Sequence, residues 1–222
     1  MLSNNKKESL QIVIVGDFNP SIIQPSWLLY HGLLNENEVE TAKIDVIIPD
    51  ASVFEIGGWL KIEVFRDRFV MHSYNEGYYE SLRDILIGVL KLLNHTKLNA
   101  LGININNIFT YQNNKDIHII SHNLINSYIY EYISKNPSLK TLTFQLNRTD
   151  NYDGYFQLTF QVNENPKEIF ISVNDHYQLQ NNNNKNILNT DIAIKILSSE
   201  WYNSLDECNK LTEEFFKILR YE

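Results

Sequence analysis

Apolar and polar positions alternate along residues 59–65, where the apolar row is Leu60, Ile62 and Val64. A period of two predicts a strand with one buried side. The polar run Arg66–Arg68 predicts a hairpin tip, and the apolar residues after it begin the return strand. The spacing then becomes helical, with apolar side chains at Leu82, Ile85, Leu86, Val89, Leu90 and Leu93. The first predicted unit is therefore a hairpin followed by an amphipathic helix.

A similar pattern recurs in the second half of the chain. Phe156, Leu158, Phe160 and Val162 alternate with polar residues, and residues 168–177 form the predicted return strand. A helical pattern then runs from about Asp191 to Leu219. The residues expected to be buried on that helix are Ile196, Trp201, Leu205, Cys208, Leu211 and Phe215.

The other elements of the first half have weaker patterns. Residues 1–9 are polar and predict a frayed end, whereas Leu10 to Val15 predicts a strand. Its unbroken apolar run, residues 12–15, indicates burial on both faces. A short helix is predicted from Trp27 to Leu34, with Ser26 as its N-cap. Two further strands are predicted at residues 43–49 and 52–56.

The second half opens with a predicted strand over residues 98–111. A helix is predicted from Ile119 to Ser134, ended by Pro137, and a strand from Leu139 to Leu146. The asparagine-rich run 181–186 predicts a loop.

The order of elements predicts an α+β fold. Residues 1–97 read β-α-β-β-β-β-α and residues 98–222 read β-α-β-β-β-α. We therefore expect a duplicated α+β unit with antiparallel sheets and helices packed on one face. The two halves are expected to be fused into one compact domain.

This order resembles the duplicated saddle of the TATA-box-binding protein family, in which two such halves make one curved sheet. No residue here matches that family's DNA contacts. The layout also resembles a sporadically distributed family of uncharacterised bacterial proteins. That resemblance rests on the opening strand with residues 16–20 (Gly-Asp-Phe-Asn-Pro), the hairpin 59–71 and residues 101–104 (Leu-Gly-Ile-Asn). It implies no activity.

Charge bears on the class of partner. The net charge is −8, and each half contributes −4: 9 Lys and Arg against 13 Asp and Glu before residue 98, and 10 against 14 after it. Duplex-binding surfaces require clustered positive charge. The charge therefore argues against nucleic acid as the partner.

Hydropathy indicates a packed protein, and the polar N-terminal residues 1–8, which contain no signal-peptide core, predict a cytoplasmic location. Hydrophobic residues make up 43% of the chain and aromatic residues 12%, which is enough for a core. No apolar run reaches the ~18 residues of a membrane span. The single cysteine, Cys208, lies on a predicted apolar stripe and is expected to be a buried small hydrophobe.

Two pairs of residues resemble catalytic or metal sites. His118 and His122 have the i, i+4 spacing of a helical metal site, but a third ligand and the expected glutamate are missing. Asp175 and His176 resemble a catalytic dyad, yet adjacent strand residues point to opposite faces. Neither pair is therefore assigned a catalytic or metal-binding role.

Polar residues near strand ends form a second group of candidates. Asp17 and Asn19 follow the first strand, and Asn104 and Asn106 lie in the strand that opens the second half. They could be equivalent positions of a duplicated site, although Asp and Asn commonly cap turns. The guanidinium groups at the 66–68 tip could bind a phosphate or a carboxylate.

Tyrosines give the most positive indication of function. The chain has 13 tyrosines, with groups at positions 74, 78 and 79, at 128, 130 and 132, and at 152 and 155. One helix face cannot bury all three of the middle group. We expect exposed tyrosines, which are favoured at protein interfaces.

We therefore expect a non-enzymatic, cytoplasmic protein-binding or assembly subunit of bacterial or phage type, acting with a protein partner or as a homo-oligomer. No catalytic, cofactor-binding or metal-binding residue is assigned. One alternative is a small metal-dependent hydrolase or nuclease using Asp17, His72, His118, His122 or His176. Another is nucleic-acid binding through a curved sheet.

Overall fold

The computed structural model describes residues 2–125, 127–133, 138–164, 167–179 and 189–220. The strands are β1 Leu2–Gly16, β2 Lys43–Ile48, β3 Ala51–Ile56, β4 Leu60–Phe65, β5 Arg68–Ser73, β6 Leu98–Tyr111, β7 Thr141–Asn147, β8 Gly154–Asn163 and β9 Glu168–Gln178. The α-helices are α1 Pro25–Tyr30, α2 Glu36–Glu40, α3 Tyr79–Leu92, α4 Asn114–Leu124, α5 Ser127–Tyr132, α6 Asn189–Ser199 and α7 Trp201–Arg220.

All nine strands belong to one antiparallel sheet in the order β2-β3-β4-β5-β1-β6-β9-β8-β7. The two long strands β1 and β6 pair at its centre, and β2 and β7 are its edges. The expected α+β class with an antiparallel sheet is confirmed.

The central pair is joined by an apolar ladder. Leu10, Ile12 and Ile14 of β1 lie opposite Ile105, Ile103 and Leu101 of β6, and all six side chains are buried. Cross-strand apolar pairs of this kind stabilise a sheet through side-chain packing as well as through its backbone hydrogen bonds. The two halves of the chain therefore share one hydrophobic core.

Helices cover the face of the sheet on which this ladder lies. Helix α3 packs on β5, while α4, α6 and α7 pack on β6, and α7 also packs on β9. The buried side chains of α3 are five of the six predicted from its spacing together with Tyr79, whereas the predicted Leu93 follows the helix and is half-buried. The opposite face of the sheet, which we call the open face, carries the alternate residues of each strand.

The expectations for β1 were wrong in two respects. Residues 2–9 are not frayed, because β6 is long enough to pair with them: Lys6 lies opposite Phe109 and Lys7 opposite Ile108. The run 12–15 is not buried on both faces, since Val13 is half-buried and Val15 is 40% exposed. In an antiparallel sheet with helices packed on one side, residues on the other side are accessible to solvent even when they are apolar.

The predicted final helix is two helices, α6 and α7, separated at Glu200. The hydroxyls of Ser198 and Ser199 donate to the carbonyls of Ile194 and Lys195. Side-chain bonds of this type compete with helical geometry and accompany bends.

The break changes which residues of the last helix are buried. Leu205 and Leu211 are only half-buried, whereas Ser204 and Thr212 lie in the buried stripe with Cys208. Thr212 tolerates burial because its hydroxyl donates to the Cys208 carbonyl at 2.9 Å.

The boundaries of two other helices also differ from those predicted. Helix α1 begins at Pro25, after an N-cap Gln24 that makes no side-chain capping bond, and it ends at Tyr30. The single helix predicted from Ile119 is two helices, α4 and α5. Helix α4 begins earlier than predicted because the Asn113 side chain accepts from the Asp116 amide and caps it, and it ends at Leu124. Ser134, Pro137 and the 181–186 loop lie outside the described residues.

We expect Trp201→Ala to lower the free energy of unfolding by about 3–5 kcal/mol, because the Trp201 ring is fully buried between α7 and the core. The adjacent Tyr202 is exposed, so Tyr202→Ala should cost less than about 1 kcal/mol. Urea denaturation followed by circular dichroism measures both values. Equal losses for the two variants would contradict the packing described for α7.

Candidate functional site

A single row of polar residues crosses the open face from one edge of the sheet to the other. Each member lies opposite the next in the strand register, so the row runs perpendicular to all nine strands. We call it the transverse row. Its members, from β2 to β7, are Lys43, Glu55, Lys61, His72, Gln11, Asn104, Asn174, Gln157 and Gln145.

The two halves of the transverse row differ in chemistry. Its members on β2, β3, β4 and β5 are ionisable, whereas those on β1, β6, β9, β8 and β7 are neutral amides. A second row of hydroxyls and one amide lies beside the amides: Ser9, Asn106, Ser172, Thr159 and Thr143. We call these two sets of neutral side chains together the amide surface.

Hydrogen bonds within the amide surface hold several of its side chains in place. The Ser172 hydroxyl donates to Asn106 Oδ1 at 2.7 Å, and Asn104 Nδ2 donates to the Gln11 carbonyl at 3.1 Å. The hydroxyls of Thr143 and Thr159 are 3.3 Å apart. The surface is therefore partly ordered before any partner arrives.

Two atoms of the transverse row are buried without a hydrogen-bond partner among the described residues. They are Asn174 Oδ1 and His72 Nε2. Gly102 leaves room for the Asn174 amide, since a Cβ at that position would lie 2.9 Å from its Oδ1. An unsatisfied buried acceptor costs about 1–3 kcal/mol. A donor supplied from outside the chain would remove that cost.

The open face offers little net positive charge to an anion. Lys61 Nζ lies 2.9 Å from a Glu63 carboxylate oxygen, so that pair neutralises itself. Burial lowers the pKa of His72, although the Glu63 carboxylate acts in the opposite direction. His72 is therefore a neutral imidazole at pH 7.

The predicted histidine pair does not form a metal site with other described residues. His118 and His122 are both exposed on α4. Within the described ranges, no group of three or more His, Cys, Asp and Glu side chains is placed to hold a metal ion. In the part of the chain that the structure describes, no third His, Cys, Asp or Glu therefore joins the pair.

Asp175 and His176 point to opposite faces of β9, as the strand geometry predicted. The His176 ring stacks on Tyr155 on the open face, with centroids 4.5 Å apart. The Asp175 side chain is fully buried beneath α7, where the Tyr177 hydroxyl donates to it at 2.7 Å and the Ser204 hydroxyl also donates. The two residues do not make a dyad.

The polar residues that follow β1 act in a turn. The Asn19 side chain accepts from the Ser21 amide at 3.1 Å, and Asp17 is exposed. Asn104 and Asn106 instead lie within β6 on the amide surface. The structure therefore does not bring the two pairs together as one site.

The arginines of the β4–β5 tip already have partners. Arg66 pairs with Asp50, and the Arg68 guanidinium lies 4.4 Å from the centroid of the Phe65 ring. Asp67 is 3.6 Å from Arg68. These contacts compete with any phosphate or carboxylate at the tip.

Exposed tyrosines are present, as expected, but they belong to several elements. Tyr128 and Tyr132 project from α5 with ring centroids 4.4 Å apart, while Tyr74 lies beyond the end of β5. Tyr79 is buried, and Tyr78 stacks on Trp59 at 4.5 Å. The Tyr130 side chain lies outside the described residues. The tyrosines therefore do not define a site by themselves.

A surface depression of about 630 Å³ lies beside α1 and the end of α3. Trp27, Tyr30 and His31 line one side, and Leu92 and Leu93 line the other. The depression is mainly aromatic and apolar. It contains no set of groups that would carry out a reaction.

Sequence reasoning missed a buried ion pair between Arg148 and Asp175. Their side chains are 3% and 1% exposed, and Arg148 also binds the carboxylate of Asp150 and stacks over the Tyr177 ring at 4.0 Å. Burial raises the pKa of Asp175, opposed by the Ser204 hydrogen bond and the Arg148 charge. The pair joins the end of β7 to β9. A lone arginine in a polar loop gave no signal of this role.

Comparison with protein-family models finds no matching family, and comparison with curated proteins finds no match. In the described part of the chain, no helix is long and apolar enough to cross a membrane. The functional argument therefore depends on the geometry of the open face.

We expect Arg148→Met to destabilise the fold by about 3–5 kcal/mol, because the Asp175 carboxylate loses its buried cation. Adding Asp175→Asn should recover part of that loss. The matched control is Arg66→Met, which removes an ion pair between two exposed side chains, Arg66 and Asp50, and should cost less than about 1 kcal/mol. Denaturation in urea measures all of these variants.

The same variant has a defined pH dependence. When the pKa of a carboxyl is higher in the folded than in the unfolded state, the folded protein becomes less stable as the pH rises from the unfolded-state pKa towards the folded-state pKa. The deficit of Arg148→Met relative to the wild type should therefore shrink as the pH falls from about 7 to about 5. A deficit independent of pH would show that Asp175 is not the group left without a partner.

Proposed function

We propose that this chain is a non-enzymatic, cytoplasmic protein-binding or assembly subunit, and that its open face is the surface that binds the partner. The observation that carries the proposal is the register of the amide surface across β1, β6, β9, β8 and β7. Helices α3, α4, α6 and α7 pack on the opposite side of the sheet.

The chemistry of the amide surface favours a protein over a polyanion. Amide side chains both donate and accept, so they complement the N–H and C=O groups of a polypeptide. Asn174 Oδ1 requires a donor, which a peptide N–H supplies and an ionised phosphate does not. Hydrogen bonds of this kind give specificity without requiring charge of opposite sign.

Nucleic-acid binding through the same face is the second candidate. The stacked Tyr155 and His176 rings on the open face favour it, because aromatic rings can stack on bases. The net charge of −8 opposes it, since phosphate contacts supply most non-specific affinity. The hydrolase alternative has less support, because its residues lie apart. His118 and His122 are exposed on α4, His72 and His176 lie on the open face, and Asp17 follows β1.

We also infer that the two halves, residues 1–97 and 98–222, descend from one duplicated unit. The support is the strand order on either side of the central pair. It reads β1-β5-β4-β3 in one direction and β6-β9-β8-β7 in the other, with β2 as an addition. The resemblance to the saddle fold rests on this same order, and an experimental structure in which the halves superpose would support both.

A photoreactive phenylalanine analogue at Gln157 should cross-link the chain to one discrete protein in its native cell, because Gln157 lies within the amide surface, between Asn174 and Gln145. The same analogue at Asn203, on the exposed side of α7, should give no such product. Denaturing electrophoresis and mass spectrometry identify the adduct. Adding Thr159→Lys to the Gln157 probe should abolish it while the far-ultraviolet circular dichroism stays unchanged.

Three results would count against the proposal. A nucleic-acid adduct at position 157 would favour the second candidate. Equal protein adducts from positions 157 and 203 would mean that the open face has no special role. No adduct at either position would leave the open face without the partner that we propose.

A further inference from the structure

The two edges of the sheet differ in how well they resist pairing with another strand. Strand β2 carries Lys43 and Asp45 and has a register shift between Ile44 and Val46. Charges and bulges are common devices that protect an edge. Strand β7 has no charged residue, no proline and an unbroken register of seven pairs with β8. Of the two edges of the described sheet, β7 is therefore the unprotected one.

Strand β7 is also accessible. Six of its seven residues are exposed, and only Leu142 is half-buried. Phe144 is 43% exposed and Leu146 is 36% exposed, although both lie on the helix side of the sheet. An exposed, uncharged edge of this length is a template for strand addition.

The β7 sequence is a palindrome of residue type about Phe144. It reads Thr-Leu-Thr-Phe-Gln-Leu-Asn, so each side has a polar residue, then leucine, then a polar residue. In an antiparallel two-fold pairing centred on Phe144, Leu142 lies opposite Leu146 of the second copy, and Phe144 lies opposite itself. Thr143 then lies opposite Gln145. Apolar residues meet apolar residues on one face, and polar residues meet polar residues on the other.

The backbone of β7 fits the same pairing. The Val162 amide donates to the Lys140 carbonyl at 2.9 Å, in the register that β7 and β8 continue. Antiparallel hydrogen bonding alternates along a strand, so residues 142, 144 and 146 bond inwards to β8. The amides and carbonyls of 141, 143, 145 and 147 then face outwards. A two-fold axis at Phe144 pairs 143 with 145 and 141 with 147, which joins these free groups to each other.

We propose that β7 pairs with β7 of a second copy of this chain, which joins two sheets into one continuous sheet of 18 strands. This goes beyond the proposed function, because the pairing uses the edge of the sheet and holds whether or not the open face binds a partner. It also places the amide surfaces of the two copies side by side, since their rows meet across Thr143 and Gln145.

Sedimentation equilibrium tests the pairing directly. The wild-type chain should approach twice its single-chain mass of 26.1 kDa as its concentration rises. Thr143→Lys combined with Gln145→Lys puts like charges opposite each other at two cross-strand positions. That should weaken the dimer about tenfold or more. The acidic double variant, Thr143→Glu with Gln145→Glu, should be weakened equally.

The decisive experiment mixes the lysine double variant with the glutamate double variant and measures the mass of the mixture. Lysines of one chain then face glutamates of the other, so a mixture should recover the dimer, which also shows that both variants are folded. Ser198→Lys with Asn203→Lys adds the same charge to exposed helix positions and should dimerise like the wild type. A monomeric wild type at its highest soluble concentration would overturn the proposal. So would a lysine double variant that dimerises as tightly as the wild type.

Discussion

The pairing of β1 with β6 is the constraint on which the rest of the structure depends. These two strands come from different halves of the chain, and their apolar ladder of Leu10, Ile12 and Ile14 against Ile105, Ile103 and Leu101 is entirely buried. Each half adds its remaining strands outwards from this pair. Because antiparallel register fixes which residues share a face, the ladder that buries these side chains also places Gln11 opposite Asn104 on the other side. The core and the open face are two consequences of one register.

The buried ion pair shows how the outer strands of the second half are held. Arg148 follows β7 and reaches Asp175 on β9, passing the Tyr177 ring, while Ser204 of α7 completes the carboxylate's hydrogen bonds. An intact buried charge pair adds little net stability, whereas removal of one partner leaves an uncompensated buried charge. It connects the edge strand directly to the layer of helices. The ion pair thus holds the end of β7 against β9 and α7, while the outward backbone groups of β7 stay accessible.

The alternation of apolar and polar residues was enough to predict most of the strands. Strand β6 and the β4–β5 hairpin were predicted correctly, because apolar residues at every second position indicate a strand with one buried side. Residues 2–9 were missed because their polarity hides a strand whose partner, β6, is far away in sequence. The division between α6 and α7 was missed because the hydroxyls of Ser198 and Ser199 act through bonds to the backbone rather than through hydropathy.

The site was harder to predict than the fold. The pairs His118 with His122 and Asp175 with His176 are recognisable because their members are close in sequence. The amide surface is built from residues up to about 165 positions apart that only the strand register brings together. The Asn and Gln residues also belong to no recognisable sequence motif, so their polarity predicts only that they are exposed to solvent.

Hydroxyl-radical footprinting of the protein in extracts of its native cell, compared with the purified chain, tests the central claim most directly. The account predicts that Tyr155 and His176 on the open face are protected in the extract, while Tyr202 on the helix side is oxidised equally in both samples. Protection of Tyr202 with no change at Tyr155 and His176 would contradict it.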